Sequence, residues 1–400
     1  MTPAVSGVVV DDETAAAVPG TRTFDVSVHG VVTLRFVDAP WRFADRFTTR
    51  WQRYLLPAAG ADPDLVVRFA DVAPPSPSFV GQRWCAVDES GLFVLDEVDG
   101  RALARLPLDE FGSTAEIRCR RDVTAVPFLV EAICLAFLAR GYVPLHGSAV
   151  VHEGRGVVFM GWPKGGKTGA LLGFVGHGAR FVGDEWVLLS PDGSAVLGLP
   201  LSLSVSAWQL PYLGIAPATL PGGKRRLFRA VAGLEWVARA TARGRLARSE
   251  PVTLLHKALP TLRRQLRVSR PPAAWFPDRI GPVTAPVDVL FLVEGHAAPD
   301  VRVEREPPAR LARRMVHANA YEWRPLLDRY RAFRFAHPDR RNALLDDLEA
   351  RLGPPMAAAM AGTPAYRVRH PYGGSLDVLY AAIAPYVSGS SADGVGRVSG

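Results

Sequence analysis

Apolar residues recur along this chain in runs whose spacing changes between that of strands and that of helices. Short alternating or continuous apolar runs predict strands, and apolar residues about three to four positions apart predict helices. In the first third of the chain the pattern predicts strands over residues 24–28, 31–36, 65–69, 83–87, 92–95 and 102–106 and a helix over residues 41–56. Together these elements predict a small N-terminal α+β module that spans residues 1–121.

A second, larger unit follows over residues 122–387, where strands and helices alternate as they do in α/β folds. Its predicted strands are residues 143–151, 156–160, 180–183, 186–189, 196–205, 287–293 and 365–370, and its predicted helices are residues 128–139, 169–175, 236–270, 307–318, 326–333, 339–352 and 376–386. Residues 287–293 are apolar without alternation, which is typical of a strand buried on both faces. The Ser- and Gly-rich end, residues 388–400, predicts a disordered tail.

The stretch that carries the chemistry is residues 161–168, Gly-Trp-Pro-Lys-Gly-Gly-Lys-Thr, between an apolar strand and a helix. It satisfies the phosphate-binding pattern G-x-x-x-x-G-K-[ST] in the strand–loop–helix context that this motif requires. Glycines let the backbone wrap a polyphosphate with its N–H groups, and the start of a helix adds favourable partial charge. The residues predicted to bind the nucleotide are Gly161, Lys164, Gly165, Gly166, Lys167, Thr168 and Gly169.

Lys167 and Thr168 have the most specific roles within this loop. Lys167 is expected to reach the β- and γ-phosphates, and the hydroxyl of Thr168 is expected to bind Mg²⁺. The chain contains four lysines among many arginines, and two of the four lie in this loop, which suggests that a compact ammonium is needed there. The alternative is a glycine-rich turn that only joins two core elements.

An acidic pair, Asp184 and Glu185, lies between the next two predicted strands. Functional groups in α/β folds lie at the carboxyl ends of strands, so the pair is expected beside the phosphate loop. Phosphoryl transfer needs a metal that neutralises phosphate charge and a carboxylate that orients the attacking hydroxyl. The sequence therefore predicts Asp184 and Lys167 as catalytic residues and a Mg²⁺ site formed by Thr168, Asp184 and Glu185. A solvated acidic turn is the alternative.

The order of these motifs resembles the HPr kinase/phosphorylase family and its HPr-kinase-like relatives. The chain has the same order of elements as that family: a His-Gly pair at His146, a strand, the phosphate loop, a helix, a second strand and the acidic pair. The resemblance is close over residues 142–190, although Glu185 stands where the family has a second aspartate. It implies a P-loop kinase fold related to the nucleotide domain of phosphoenolpyruvate carboxykinase. It also implies that His146, at the edge of the site, is a third catalytic residue; a structural histidine is the alternative.

These observations predict an ATP- and Mg²⁺-dependent kinase that transfers the γ-phosphate to a hydroxyl acceptor. The resemblance implies a seryl group of a peptide or protein as acceptor, and a small molecule is equally open, since some bacterial relatives lie in natural-product pathways. The N-terminal module is then expected to dock the acceptor or to regulate the kinase. Two other classes stay open: a nucleotide-binding regulator or scaffold with weak ATPase activity, and a carboxykinase-like lyase.

Composition indicates the cellular setting. Of the 400 residues, 48% are hydrophobic and 22% are charged, which is ordinary for a soluble globular protein. No apolar run reaches the length of a membrane span, and the N-terminus lacks the features of a signal peptide. Cys85, Cys119 and Cys134 are few and widely spaced, which favours the reducing cytoplasm. No membrane partner is expected. The net charge of +8 is compatible with a nucleic-acid partner, but an anionic nucleotide explains part of it more simply, so that partner is not favoured; a homo-oligomer stays open.

Overall fold

The structure, a computed structural model, describes most of the chain. It covers residues 20–58, 60, 62–73, 79–82, 85–215, 267–371, 373–388 and 396–398, with scattered positions between 223 and 234. The helices are α1 (Trp41–Trp51), α2 (Leu129–Ala139), α3 (Lys167–Gly176), α4 (Pro308–Glu322), α5 (Arg324–Ala336), α6 (Ala343–Asp346), α7 (Leu348–Met360) and α8 (Leu376–Val387), and 3₁₀ helices lie at Ala207–Leu213, Pro272–Ala274 and Pro277–Arg279. None of the described helices is long and apolar enough to cross a membrane.

The strands form several sheets. The N-terminal strands are β1 (Thr21–Val28), β2 (Val32–Pro40), β3 (Leu55–Leu56), β4 (Leu65–Phe69), β5 (Phe79–Gln82), β6 (Cys85–Asp88), β7 (Gly91–Leu95), β8 (Ala102–Leu106) and β9 (Ala115–Cys119). The later strands are β10 (Val143–Leu145), β11 (Gly147–His152), β12 (Arg155–Met160), β13 (Arg180–Gly183), β14 (Val187–Leu189), β15 (Ala195–Gly198), β16 (Leu203–Ser206), β17 (Arg267–Arg270), β18 (Thr284–Pro286), β19 (Val289–His296), β20 (Val301–Arg305), β21 (Ala365–Pro371) and β22 (Gly396–Val398). Their orders are β3-β1-β2-β4-β9-β8-β7-β6-β5, β10-β14-β15-β18, β13-β11-β12-β19-β21-β20-β22 and β16-β17. The architecture is therefore mixed α/β.

The N-terminal sheet packs against α1 through aromatic side chains. Phe43 and Phe47 lie one turn apart on the buried face of the helix, and the ring centroid of Phe47 is 4.6 Å from that of Phe36 in β2. The helix ends at Trp51, earlier than the predicted end at residue 56. The difference arises because Leu55–Leu56 pairs with β1 and becomes the edge strand β3.

The central sheet has three parallel strands, β12, β19 and β21, flanked by the antiparallel strands β11 and β20. Successive side chains of a strand point to opposite faces, and here the two faces meet different hydrophobic clusters. In β12, Val158 belongs to one cluster and Phe159 to the other, and Leu290 and Phe291 divide in the same way in β19. The prediction that residues 287–293 form a strand buried on both faces is confirmed over the span of β19.

One of these clusters joins the N-terminal sheet to the central sheet. It contains Phe24 of β1, most of α2 and Leu290 of β19. Hydrogen bonds also link the N-terminal part to the later helices, because the amide of buried Asn342, at the start of α6, donates to the carbonyl oxygens of Leu108 and Phe111, each at 2.8 Å. The predicted domain boundary thus lies within a continuous core, and the division of the chain into two units stays a prediction.

The helix expected over residues 339–352 differs from the structure at both ends. It begins at Ala343, where the side chain of Asn342 accepts hydrogen bonds from the first helical N–H groups. It breaks at Asp347 and then continues as α7 to Met360. The periodic pattern predicts the helix, whereas the cap sets its first residue.

The helical stretch expected over residues 236–270 is described at its end, where Arg267–Arg270 forms strand β17; the rest lies outside the described residues. This part of the prediction is wrong because pairing with β16, a contact far away in the sequence, sets the conformation. Within the predicted tail, residues 388–400, the structure describes Gly396–Val398 as an edge strand that pairs with β20. Residues 389–395 lie outside the described residues.

Candidate functional site

The phosphate loop connects β12 to α3 at the edge where the parallel strands end. Gly161 and Gly166 have φ angles of 148° and 110°, which residues with a Cβ rarely adopt. The loop also approaches β19 closely: a Cβ on Gly161 would overlap the carbonyl oxygen of Val293, and one on Gly165 would lie 2.7 Å from it. Glycine is therefore required both for backbone conformation and for close packing.

Lys167 is the first residue of α3 and is 7% exposed. Its Nζ donates to the carbonyl oxygens of Gly161 at 3.0 Å and Trp162 at 3.3 Å, so the ammonium is folded back onto the loop. Burial lowers its pKa, and the negative charges of Glu322 and Asp184 oppose that change. The ammonium thus lies between the loop and an acidic wall formed by the carboxyl groups of Asp184, Glu185 and Glu322. At this position the oxygen atoms of a phosphate can replace the two carbonyl oxygens as its hydrogen-bond acceptors.

Asp184 is 4% exposed and meets the loop through Thr168. The Thr168 hydroxyl lies 3.2 Å from Oδ2 and 3.3 Å from Oδ1 of Asp184, which links the acidic turn after β13 to the first turn of α3. Burial, with a contribution from the charge of Glu185, raises the pKa of Asp184 to about 7. The ionised form of Asp184 is therefore less favoured than that of an ordinary aspartate.

Glu185 lies in the opposite environment, with 47% of its side chain exposed. Its φ of 69° is left-handed and turns the side chain toward His146, whose Nε2 lies 3.1 Å from Glu185 Oε2. The hydrogen bond from His146 is the main cause that lowers the pKa of Glu185. Two neighbouring carboxyl groups thus have pKa values shifted in opposite directions, a pattern typical of sites that divide acid–base work between them.

His146 is buried and held on three sides. Its backbone N–H donates to Oδ1 of buried Asn319 at 3.0 Å, and its ring packs against the ring of Trp186 with centroids 5.6 Å apart. Its Nδ1 lies 3.2 Å from Oε1 of Glu322, but the two atoms do not form a hydrogen bond. The ring therefore lies between the carboxylates of Glu185 and Glu322, two members of the acidic wall.

A cleft of about 440 Å³ brings the predicted residues together. Those that line it are His146, Lys164, Gly166, Lys167, Thr168, Gly169, Asp184 and Glu185. Gly161 and Gly165 do not line the cleft; they lie behind it, against Val293. Lys164 is exposed and has a left-handed φ of 65°. Residues predicted from separate stretches thus share one concave surface.

The sequence analysis missed several residues that line the same cleft. They are Ser204, Ser206, Trp208, Gln209, Arg267, Tyr321, Glu322 and His370, among others. Arg267 lies within residues 236–270, which were predicted to be helical, so its place on a strand at the cleft was not expected. His370 ends the predicted strand 365–370 and is the penultimate residue of β21, and this position near the carboxyl end of a strand was the signal that could have identified it. No pattern in the sequence pointed to Glu322, because it lies beyond residue 318, the predicted end of its helix.

The donor set for Mg²⁺ is chemically suitable. Among the described residues no group of three or more His, Cys, Asp and Glu side chains forms a metal site. Mg²⁺, however, is usually held by one or two carboxylates together with waters and substrate phosphates. Thr168, Asp184 and Glu185 supply oxygen donors of this kind, and the Thr168 hydroxyl already lies beside both Asp184 oxygens. These residues therefore fit a phosphate-bound Mg²⁺ rather than a cage made by protein alone.

Comparison with known proteins adds no family to this geometry. No protein-family model matches the chain, and no curated protein is significantly similar to it. The resemblance over residues 142–190 therefore rests on the motifs themselves and stays a prediction.

Proposed function

We propose that this chain is an ATP- and Mg²⁺-dependent kinase of the HPr-kinase-like type, which transfers the γ-phosphate to a hydroxyl acceptor. The observation that carries the proposal is the contact between Thr168 of the phosphate loop and the buried carboxylate of Asp184. A turn that only joined core elements would not need a buried carboxylate beside Lys167. The acceptor class is a seryl group of a peptide or protein, or a small alcohol.

The loop and Lys167 bind the phosphates in this proposal. Backbone N–H groups between Gly161 and Gly166 and the start of α3 favour an anion. Lys167 exchanges its carbonyl contacts for phosphate oxygens, and exposed Lys164 adds positive charge at the rim. Thr168, Asp184 and Glu185 would hold Mg²⁺, which supplies neutralisation of the phosphate charge when it is bound.

Asp184 is the proposed general base. The acceptor hydroxyl oxygen forms a bond to the γ-phosphorus, the bond to the bridging oxygen breaks, ADP leaves, and the hydroxyl proton passes to Asp184. Burial raises the pKa of Asp184 in the metal-free site, and a raised pKa makes the carboxylate a better proton acceptor. His146 holds Glu185 in place through the hydrogen bond to Oε2.

Lys167→Ala tests the binding half of the proposal. Calorimetry with Mg-ATP should show weaker binding or none, because the variant removes the ammonium that lies under the phosphates. Circular dichroism should show an intact fold, since Lys167 contributes polar contacts to two loop carbonyls rather than to the core. Unchanged ATP affinity would remove the phosphate-loop assignment.

Asp184→Asn separates a kinase from a nucleotide-binding scaffold. The variant keeps the shape and the loop, so Mg-ATP should still bind. Single-turnover transfer from γ-labelled ATP to a panel of serine peptides, small alcohols and water should fall by about 10²- to 10⁴-fold. If nucleotide affinity falls as well and excess Mg²⁺ restores it, Asp184 acts mainly as a metal ligand. Binding of ATP without transfer to any acceptor in the wild type would favour the scaffold.

A further inference from the structure

His370, the penultimate residue of β21, makes a contact with the phosphate loop that the proposed function does not use. Its Nε2 lies 2.9 Å from the carbonyl oxygen of Gly165, and its Nδ1 lies 3.0 Å from the carbonyl oxygen of Pro371. Carbonyl oxygens only accept hydrogen bonds, so Nε2 is the donor in the contact with Gly165. The contact spans the sheet, because β19 lies between β21 and the strand that leads into the loop.

The ring of His370 also occupies the space beside the next residue of the loop. A Cβ on Gly166 would overlap the Nε2 of His370 and would lie 2.7 Å from its Cε1. The glycine at this position therefore serves two needs: a φ of 110° and room for the imidazole. The imidazole therefore packs directly against the backbone of the loop at Gly166.

The hydrogen bond to Gly165 determines where the next N–H group points. In a planar trans peptide the C=O of one residue and the N–H of the next point in opposite directions. Since His370 holds the carbonyl of Gly165 on its own side, the N–H of Gly166 is directed away from it. No described residue accepts a hydrogen bond from that N–H, and Gly166 itself lines the cleft.

We propose that His370 is a positioning residue, which holds the Gly165–Gly166 peptide so that its N–H group is aimed at a bound phosphate. The inference rests on the proposed nucleotide binding and extends it to a residue outside the loop motif. His370 acts through the loop and does not touch the reacting atoms.

Three substitutions at this position and one at a neighbouring strand test the inference by calorimetry with Mg-ATP. His370→Leu keeps the bulk but loses the donor, and we expect affinity to fall about tenfold, the value of one well-placed hydrogen bond. His370→Gln places an amide N–H near the position of Nε2 and should restore affinity to within about twofold of the wild type. His370→Asn is too short to reach Gly165 and should bind as weakly as the leucine variant.

His296→Leu is the matched control. His296 ends β19, is half-buried like His370, and also bonds a backbone carbonyl through Nε2, that of Asp300 at 2.7 Å. That carbonyl belongs to the connection between β19 and β20 rather than to the phosphate loop. We therefore expect His296→Leu to change thermal stability without changing nucleotide affinity.

The outcomes are distinct. Wild-type affinity in His370→Leu overturns the inference, as does an equal loss in His296→Leu, which would reveal a general weakening of the sheet edge. Failure of His370→Gln to recover affinity overturns it as well, because space filling would then explain the loss. If His370→Leu does not fold, the contrast between the Gln and Asn variants decides. Absence of Mg-ATP binding by the wild type refutes the proposed function itself.

Discussion

At the scale of single residues, the site depends on two adjacent carboxyl groups in opposite environments. Asp184 is buried beside Thr168, whereas Glu185 is half exposed and receives a hydrogen bond from His146. Burial disfavours the ionised form of the first, and the hydrogen bond favours the ionised form of the second. In the proposed function, one turn therefore supplies Asp184 as the proton acceptor and Glu185 as a carboxylate that stays ionised beside a cation.

We predict that Asp184→Asn raises the free energy of unfolding above pH 7 in buffer without divalent cations. The folded pKa of about 7 exceeds the ordinary value of 3.8, so the folded chain holds this proton more tightly than the unfolded chain. Wild-type stability should therefore fall as the pH rises from about 4 to about 7, and asparagine removes that loss, which is at most about 4 kcal/mol. Denaturant unfolding across this pH range measures the difference.

Glu185→Gln is the matched control, and its effect has the opposite sign. The hydrogen bond from His146 lowers the folded pKa of Glu185, so its ionised form stabilises the fold at neutral pH and loses that effect in acid. The variant should be less stable than the wild type near pH 7 and equal to it at low pH. Identical pH profiles for the wild type and Asp184→Asn would show that Asp184 is not held in a desolvated site.

At the scale of elements, α4 shows why part of the site escapes sequence analysis. Apolar periodicity predicts this helix over residues 307–318, but it continues to Glu322. The added turn contains Asn319, Tyr321 and Glu322, which have no periodic apolar pattern yet contact or line the cleft. The end of this helix is set by tertiary contacts, among them fully buried Trp323.

The phosphate loop is the opposite case. Its conformation is encoded locally, because Gly161 and Gly166 take backbone angles open mainly to glycine, so the motif alone predicts the strand, the loop and the helix. Arg267 and His370 reach the same cleft through strand pairings between residues far apart in sequence. No local pattern records such pairings, and this explains why the loop could be predicted in detail and its surroundings could not.

Asn319→Leu should test how α4 positions the site. The amide of Asn319 accepts from the N–H of His146 at 3.0 Å and donates to the carbonyl oxygen of Pro144 at 2.6 Å, with no part of the residue exposed. Leucine has a similar volume but leaves both groups buried without partners. We expect a loss of about 2–4 kcal/mol in the free energy of unfolding, measured by chemical denaturation.

His317→Ala provides the comparison within the same helix. His317 is 68% exposed at its side chain and pairs with exposed Glu349 on the surface. Its removal should change stability by less than about 1 kcal/mol. If Asn319→Leu is as mild as this surface change, the buried amide does not hold His146 in place.

At the scale of the whole molecule, one hydrophobic cluster runs from the N-terminal sheet to one face of the central sheet. The other face is covered separately, by α3 and α8 among others. One face of the strands that carry the phosphate loop thus belongs to the cluster that extends to the N-terminal sheet, and the loop's own helix covers the other face. Changes in the N-terminal part can reach the site through this shared core, whatever its role toward an acceptor.

Asn342→Leu should show that the N-terminal sheet and the later helices unfold together. Asn342 donates to two carbonyls of the connection between β8 and β9, and it also accepts from the N–H groups of Leu344 and Leu345 at 2.9 and 3.2 Å. Leucine breaks all of these bonds and leaves buried polar groups behind, so we expect a loss of about 3 kcal/mol. In hydrogen exchange with increasing denaturant, segments 104–112 and 343–360 should both lose protection at a lower denaturant concentration than in the wild type.

Arg341→Ala, which removes a neighbouring exposed pair with Asp346, should leave both segments close to wild type. If segment 104–112 keeps its wild-type midpoint while segment 343–360 shifts, the N-terminal module is an independent domain and the boundary predicted after residue 121 is correct.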